Sequence, residues 1–446
     1  MKNIIRKLTP RFLISWYHLG LAFLGALIYR FPSQGMVIIG VTGTNGKSTT
    51  VDMISRIFRE AGLKTASLSS IRFQLLDKEW RNTMKMTMPG RFVIQQFLRQ
   101  AKDAGCTHVV LEVTSEGMLQ HRHRFINFHT AVFTNLSPEH IERHGSFENY
   151  KRTKGKLFQA AQKVHVINAD DEHTPFFLEF PAQQKYLYSI KSAQSSMLHS
   201  IILCAENIST TDHGINFTAG GTDIQLKLLG EFNISNALAA IAVARSQGIS
   251  LQVCSKALEK MEVVSGRMET VVHNPFRVIV DYAFTPAALE KVYKTFRENP
   301  KSEIRNPKLI CVLGAAGGGR DRWKRPVLGK LAATHCDRVI ITNEDPYEED
   351  PQKIIDEVAA GAEHISINQQ YPHESVVLKI LDRREAIRNG LSFASSGDVV
   401  IITGKGSEDS IAIKGGKKIP WDDREVVREE MRVRKRDPIG SPLYPF

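Results

Sequence analysis

The sequence predicts an α/β fold: a doubly wound parallel sheet carrying a phosphate-cradling turn, followed by a smaller α/β domain with its own parallel sheet. Three observations predict it. Apolar strand-like runs alternate with segments of helical periodicity along most of the chain. The stretch VIIGVTGTNGKS, Val37 to Ser48, joins a buried strand to a glycine-rich turn and a helix start. Beyond Ser265-Gly266-Arg267 a second series of strand-plus-loop units begins. The expected division is residues 1–35, 36–265 and 266–446: a hydrophobic amino-terminal helix, a P-loop nucleotide domain and a Rossmann-like domain.

A chain of 446 residues is long enough for two or three domains. Its formal net charge of +12 favours an anionic partner, whether nucleotide, nucleic acid or membrane surface. The lysines and arginines are dispersed, with their densest cluster at Arg432 to Arg436, so no nucleic-acid groove is expected. The five cysteines have no close pairs and read as buried thiols in a reducing compartment.

At the amino terminus, Lys2, Arg6, Lys7 and Arg11 precede an apolar run from Phe12 to Tyr29, and Arg30 follows it. No small-residue cleavage site stands out, so a secretory signal is not expected. Three readings compete: a helix packed on the domain, an interfacial anchor and a spanning helix. The flanking basic residues suit anionic lipid, so the expected location is the cytoplasm, with contact at the inner membrane face.

From Val37 the pattern is βαβ. Val51, Ile54, Ile57 and Phe58 mark the apolar face of the helix after the turn, and Gly62 suits its end. A helix is expected over Phe92 to Ala104, and strands at His108–Val113, Thr130–Leu136 and Val164–Asp170. Residues 198–230 read as short antiparallel strands, and Phe232 to Gly248 as a strong helix. VIVDYA, KLICVLGAAGGGRD, RVIITNEDP and VVIITGKG supply the second sheet. The charged tail DDREVVREEMRVRKRDP reads as a solvated helix.

Gly43, Thr44, Asn45, Gly46 and Thr49 lie in or beside a turn whose amides would face a phosphate, with the helix N-terminus behind it. Lys47 would reach the outer phosphates and the Ser48 hydroxyl would ligate Mg²⁺. Glu112, at a strand end beside the turn, is a second Mg²⁺ candidate. His140 and His144 are four apart, which on a helix puts both on one face, although no third soft ligand stands nearby. Lys154, among other lysines, reads by chemistry alone as a surface charge.

The blocks GVTGTNGKSTT, LEVTSEGM, FTNLSPEHIERHGSFENYKRTKGKLF, LGEFNISNALAA, SGRMETV, DYAFTPAAL, LGAAGGGRDRWKRPVLG, ITNEDPYEEDP and ITGKGSE come in the order seen in Mur ligases. The sequence resembles most the branch that adds the third peptide residue to UDP-N-acetylmuramyl-dipeptide. The resemblance implies ATP and two Mg²⁺ ions as cofactors. Lys47 and the loop amides would hold the ATP phosphates, Ser48 and Glu112 the first Mg²⁺, and His140 the second. Lys154 matches the lysine that the family carbamylates with CO₂, turning an ammonium into an anion that can hold Mg²⁺. Asn233, Asn236, Arg267 and Asp281 match nucleotide contacts. Thr87, Pro89, Thr114 and Ser115 match segments on the muramyl-peptide side, and Arg320, Glu344, Asp345, Tyr347, Gly404 and Glu408 the amino-acid side. The implied reaction is amide formation through an acyl phosphate, completed when the two domains close.

Three departures from the family pattern shape these expectations. Only about 35 residues precede the P-loop strand, too few for the domain that holds UDP, so a lipid-linked acceptor competes with a UDP-linked one. Glu344-Asp345-Pro346-Tyr347 stands where the diaminopimelate-adding enzymes carry Asp-Asn-Pro-Arg. Tyr347 cannot clamp a distal carboxylate, so Glu344, Asp345 and Glu408 point to a diamino acid with a free amine; Arg320 or Arg322 is the alternative clamp. Phe284 and Ser407 replace histidines. The alternatives to a muramyl-peptide ligase are a folylpolyglutamate- or cyanophycin-type ligase, an amidating ligase acting on lipid-linked precursor, a P-loop ATPase on nucleic acid, and a non-catalytic ATP-binding membrane scaffold.

Overall fold

In a computed structural model the described residues are 11–84, 86–191, 201–297, 307–363 and 376–436. Lys2, Arg6, Lys7, Lys85, the start of the 198–230 stretch and the last residues of the tail lie outside them.

The first sheet contains β1 (Val37–Thr42), β2 (Thr65–Leu68), β3 (Arg72–Leu75), β4 (Lys78–Arg81), β5 (His108–Glu112), β6 (Phe128–Phe133), β7 (Val164–Asn168), β8 (Gln184–Ser189), β9 (Ile201–Thr211), β10 (Gly214–Ala219) and β11 (Thr222–Leu226). Their order is β11-β10-β9-β8-β7-β6-β1-β5-β2-β3-β4. The strands from β9 to β2 in that order run parallel, and antiparallel pairs extend both edges. β1 lies between β5 and β6, so the chain leaves in opposite directions on either side of it. That reversal opens a crevice at the strand C-termini, where ligands of open α/β sheets bind.

Burial on both faces explains the apolar run in β1, where Ile38, Ile39 and Val41 are fully buried. Helix Lys47–Glu60 covers one face with Val51, Ile54, Ile57 and Phe58. Fully burying each such side chain contributes about 1.5–3 kcal/mol. Helix Phe232–Ser246 packs against it through its alanine-rich sequence, whose small side chains allow close approach.

The second sheet contains β12 (Glu269–Val272), β13 (Arg277–Val280), β14 (Leu309–Leu313), β15 (Arg338–Thr342), β16 (Val376–Ile380) and β17 (Val399–Ile402). Its order is β12-β13-β17-β14-β15-β16, parallel except for β12. A separate hairpin joins β18 (Ser410–Ile413) to β19 (Lys417–Pro420).

Two expectations need correction, and the spanning reading of the amino-terminal run falls away. Cys311 and Cys336 are joined in a disulfide, while Cys106, Cys204 and Cys254 are free. The two are 25 residues apart in sequence, and the β14–helix–β15 unit brings their Cα atoms to 6.1 Å. The tail helix, Asp423–Arg436, is not wholly solvated, because Val426, Val427 and Met431 pack into the core of the second lobe. Among the described residues no helix is long and apolar enough to cross a membrane. The amino-terminal run forms helix Arg11–Ile28, which packs on helix Arg91–Asp103.

The tail is anchored by a buried ion pair. Arg383 Nε and Nη2 donate to the two carboxylate oxygens of Asp423 at 2.8 and 2.7 Å, and Nη2 also donates to Thr403 O at 2.9 Å. Trp421 Nε1 donates to Asp423 at 2.7 Å. Arg383→Ala leaves a buried carboxylate without its counter-charge and is expected to cost about 3–5 kcal/mol, read as a lowered thermal midpoint. Arg383→Met with Asp423→Leu is expected to recover most of it.

Candidate active site

Each residue of the glycine turn has a structural duty. Gly43 and Gly46 have φ of 153° and 82°. A Cβ at Gly43 would lie 1.9 Å from Thr134 Oγ1, and one at Gly46 would lie 2.3 Å from Asn236 Oδ1. Only glycine fits both places. The segment after β6 holds the turn in shape: Thr44 N donates to Asn135 O at 2.8 Å, Asn45 N to Asn135 Oδ1 at 2.9 Å, and Thr134 Oγ1 to Asn45 O at 2.7 Å. Helix Lys47–Glu60 starts there, with its N-terminal amides at the mouth of the turn.

Lys47 Nζ donates to Thr44 O at 2.8 Å and lies 4.0 Å from Glu112 Oε1. Burial lowers its pKa, the Glu112 carboxylate opposing and Arg267 adding to the shift. Glu112 Oε2 accepts from Ser48 Oγ and from Ser70 N, each at 2.8 Å. β5 pairs with β1, so the strand register itself sets Glu112 beside the turn.

Lys154 is not a surface charge. Its side chain is 1% exposed, its Nζ donates to Gly43 O at 2.6 Å and sits 4.6 Å from the Tyr150 ring centre. Among the described residues it forms no ion pair. Burial, reinforced by the Lys47 ammonium, holds its pKa well below the usual lysine value. His140 lines the same cleft with φ of 57°. Burial, with Arg320, Lys154, Lys324 and Lys47 around it, lowers its pKa to about 2, so it is a neutral imidazole with a lone pair to offer. His144 does not join it. His140 precedes helix Ile141–His144, and the His144 ring turns to Ser115 Oγ at 3.1 Å, so the four-residue spacing makes no shared ligand pair.

One cleft of about 340 Å³ takes in most of the expected residues from both sheets. Gly43 to Thr49, Glu112, His140 and Lys154 line one end. Asn233 and Asn236 adjoin the turn, with Asn236 Nδ2 donating to Asn233 Oδ1 at 3.0 Å. From the second lobe, the Arg267 guanidinium lies over the Tyr282 ring at 4.2 Å, and its Nη2 reaches Ser70 Oγ at 3.5 Å. Asp281 accepts from Met268 N at 2.7 Å and Ala283 N at 2.6 Å. Thr87, Thr114, Ser115, Arg320, Tyr347 and Glu408 line the far end.

Four expected residues are not on the cleft wall. Pro89 and Gly404 are buried beside it. Asp345 is engaged behind it, accepting from Lys405 Nζ at 2.9 Å and Ala412 N at 2.6 Å. Glu344 is buried against Gly404, with Oε2 lacking a hydrogen-bond partner. The alternative clamp Arg322 is exposed and paired with Glu349 at 2.7 Å, whereas the Arg320 guanidinium forms no ion pair among the described residues. The sequence reading passed over Glu139, Tyr150, Tyr282 and Asp409, which all line the cleft. Adjacency to His140 and Glu408 was the available signal for two of them.

The lobes are joined beside His140. Lys324 Nζ meets Glu139 Oε1 at 2.9 Å, both nearly inaccessible to solvent, and Lys324 also lies over the Phe284 ring at 4.8 Å. The Asp321 carboxylate accepts from Ile141 N at 3.1 Å and Glu142 N at 3.0 Å.

Burial raises the Glu344 pKa to about 7, with Lys405 opposing and Asp345 adding to the shift. The folded state therefore holds this proton after the unfolded chain has lost it. Stability falls as pH rises from the unfolded value toward 7 and stays reduced above. Glu344→Gln is expected to add of the order of 1–3 kcal/mol at pH 8 and almost nothing at pH 4.5, measured by denaturant titration at both.

Comparison with known proteins gives the family. Residues 41–244 match the Mur ligase middle domain and residues 266–406 the Mur ligase glutamate ligase domain. UDP-N-acetylmuramyl-tripeptide synthetase of Roseiflexus sp. (strain RS-1) is 37% identical over 432 residues, covering 92% of this chain and 81% of that protein. The UDP-N-acetylmuramoyl-L-alanyl-D-glutamate–2,6-diaminopimelate ligase of Syntrophomonas wolfei is 36% identical over 417 residues, covering 92% of this chain and 81% of that one. A solved structure of a ligase of that second name superposes with a TM-score of 0.60 at 30% identity, over 90% of this chain and 79% of the other. With both domain models matched in order and the glycine turn, Glu112 and Lys154 gathered in one cleft, the chain belongs to the Mur ligase family.

Proposed function

We propose that this chain is an ATP-dependent ligase that joins an amino acid to a muramyl-peptide precursor of peptidoglycan, carried on UDP or on lipid, in the cytoplasm. The observation behind this reading is the Lys154 amine, buried, without an acidic ion-pair partner among the described residues, and 2.6 Å from the carbonyl of Gly43. The neutral amine, which burial favours, is the form that attacks CO₂, giving a carbamate and releasing one proton. That would turn a buried base into an anion beside the phosphate cradle.

Residues 36–265 and 266–446 would act as two lobes. The turn amides and Lys47 orient the triphosphate, Asn233 and Asn236 contact the nucleotide, and Arg267 and Asp281 approach it from the second lobe. The Ser48 and Glu112 oxygens are of the hard type that Mg²⁺ selects. Among the described residues no group of three His, Cys, Asp or Glu could hold a metal by itself. Ser48 and Glu112 would hold one Mg²⁺, and His140 with carbamylated Lys154 a second. When bound, the ions offset charge on the transferring phosphoryl.

The acceptor carboxylate, placed near Thr87, Thr114 and Ser115, attacks the γ-phosphorus. The bond to the β-phosphate oxygen breaks, leaving ADP and an acyl phosphate. The neutral amine of the amino acid then attacks the acyl carbon, and phosphate leaves with its bridging oxygen as the amide forms. Arg320 would take the amino acid's α-carboxylate. Glu408 and Asp409 would face amines, while Glu344 and Asp345 support that wall from behind. Tyr347 itself carries no charge to clamp a distal carboxylate, which favours a diamino acid with a free side-chain amine, such as lysine or ornithine, over diaminopimelate.

With ATP, Mg²⁺ and muramyl dipeptide, phosphate release is expected to be faster with lysine or ornithine than with diaminopimelate; preference for diaminopimelate refutes the amino-acid assignment. Lys154→Ala is expected to lower ligation about 10²–10³-fold. In ¹³C-bicarbonate the wild-type protein is expected to show a carbamate signal that this variant lacks.

A further inference from the structure

Helix Arg11–Ile28 has two apolar faces, and only one is covered. The inner face carries Ala22 and Ala26 against helix Arg91–Asp103, where the backbone at Gly25 comes close to Arg91. Polar contacts pin it in place: Ser15 Oγ to His121 Nε2 at 2.7 Å, and His18 to Arg91. The outer face carries Leu13, Trp16, Tyr17, Leu24, Leu27 and Ile28, all exposed, with Trp16 at 70% and Tyr17 at 63%. These positions follow helical spacing and form a single stripe. Phe23 and the exposed Phe125, edge to face at 5.4 Å, widen it.

The sequence around the helix is cationic. No acidic residue precedes Asp52, whereas Lys2, Arg6, Lys7, Arg11 and Arg30 flank the apolar run in sequence. Arg124 and Lys156 lie near His121, where the helix is pinned, and with Arg91 they act on its imidazole. Two copies of a chain with net charge +12 would bring these cations together, which disfavours self-association through this face. An anionic surface gains from them.

We propose that this face lies in the interface of an anionic lipid bilayer, with the helix parallel to the surface and Trp16 and Tyr17 at headgroup depth. Exposed aromatics, an uninterrupted apolar stripe and flanking cations are the three features such a helix needs. The contact also orients the cleft. Arg91 Nε donates to Gln120 O at 3.0 Å and Arg122 bonds Met88 O, tying the anchored wall to the Met86–Met88 segment that lines the acceptor end. Resting on the ligase reading, this places the acceptor site beside the membrane, where a lipid-linked precursor would be found.

The test is flotation of the full-length protein with phosphatidylglycerol–phosphatidylethanolamine vesicles and, separately, with phosphatidylcholine vesicles. The protein is expected to rise with the anionic vesicles, to rise far less with neutral ones, and to be released by high salt. Trp16→Glu with Leu24→Glu is expected to lower the bound fraction roughly tenfold or more, with unchanged thermal midpoint and unchanged binding of an ATP analogue. Protein that stays at the bottom of the anionic gradient overturns the proposal. So does equal flotation of wild type and variant, or a vesicle-independent dimer that the variant abolishes. The readout needs neither ATP nor amino acid, so a failed ligation assay and a failed flotation are separate results.

Discussion

The Lys154 amine donates to the Gly43 carbonyl at 2.6 Å, and the cleft is arranged around that contact. Among the described residues this buried lysine has no acidic ion-pair partner, which is costly, and its lowered pKa expresses that cost. Tyr150 closes one side with its ring and reaches Thr44 Oγ1 at 3.2 Å, so the same helix that carries Lys154 also holds the glycine turn. Moving Phe147–Ala160 would displace the amine and loosen the turn together.

Two lobes supply the site, and their junction lies next to it. Glu139, His140 and Ile141 are consecutive. The first pairs with Lys324, the second faces the cleft, and the third donates its amide to Asp321. Any hinge motion between the sheets must therefore act on the backbone at His140, whose φ of 57° is already unusual for a non-glycine residue.

The Glu344–Asp345 segment separates supporting residues from contacting ones. Read along the chain, both carboxylates seemed available to a substrate amine. Folded, Asp345 is held by Lys405 and Ala412, and Glu344 lies behind Gly404. Tyr347, two residues on with φ of 51°, is the part of this loop that reaches the cleft. Local spacing does not reveal which side of a loop faces in, because that depends on where β14, β15 and β17 end relative to one another.

The sequence alone determined the parallel sheets, the glycine-rich turn and Glu112 beside it, because strand periodicity and glycine conformational demands are local. Family resemblance, not local pattern, singled out Lys154. Burial of its amine, the parting of His140 from His144, the Cys311–Cys336 bond and the docking of the tail helix were decided by tertiary structure. Each depends on elements distant along the chain meeting in space. The same holds for helix Arg11–Ile28: its sequence is apolar all round, and only packing on Arg91–Asp103 decided which face is left for an outside partner.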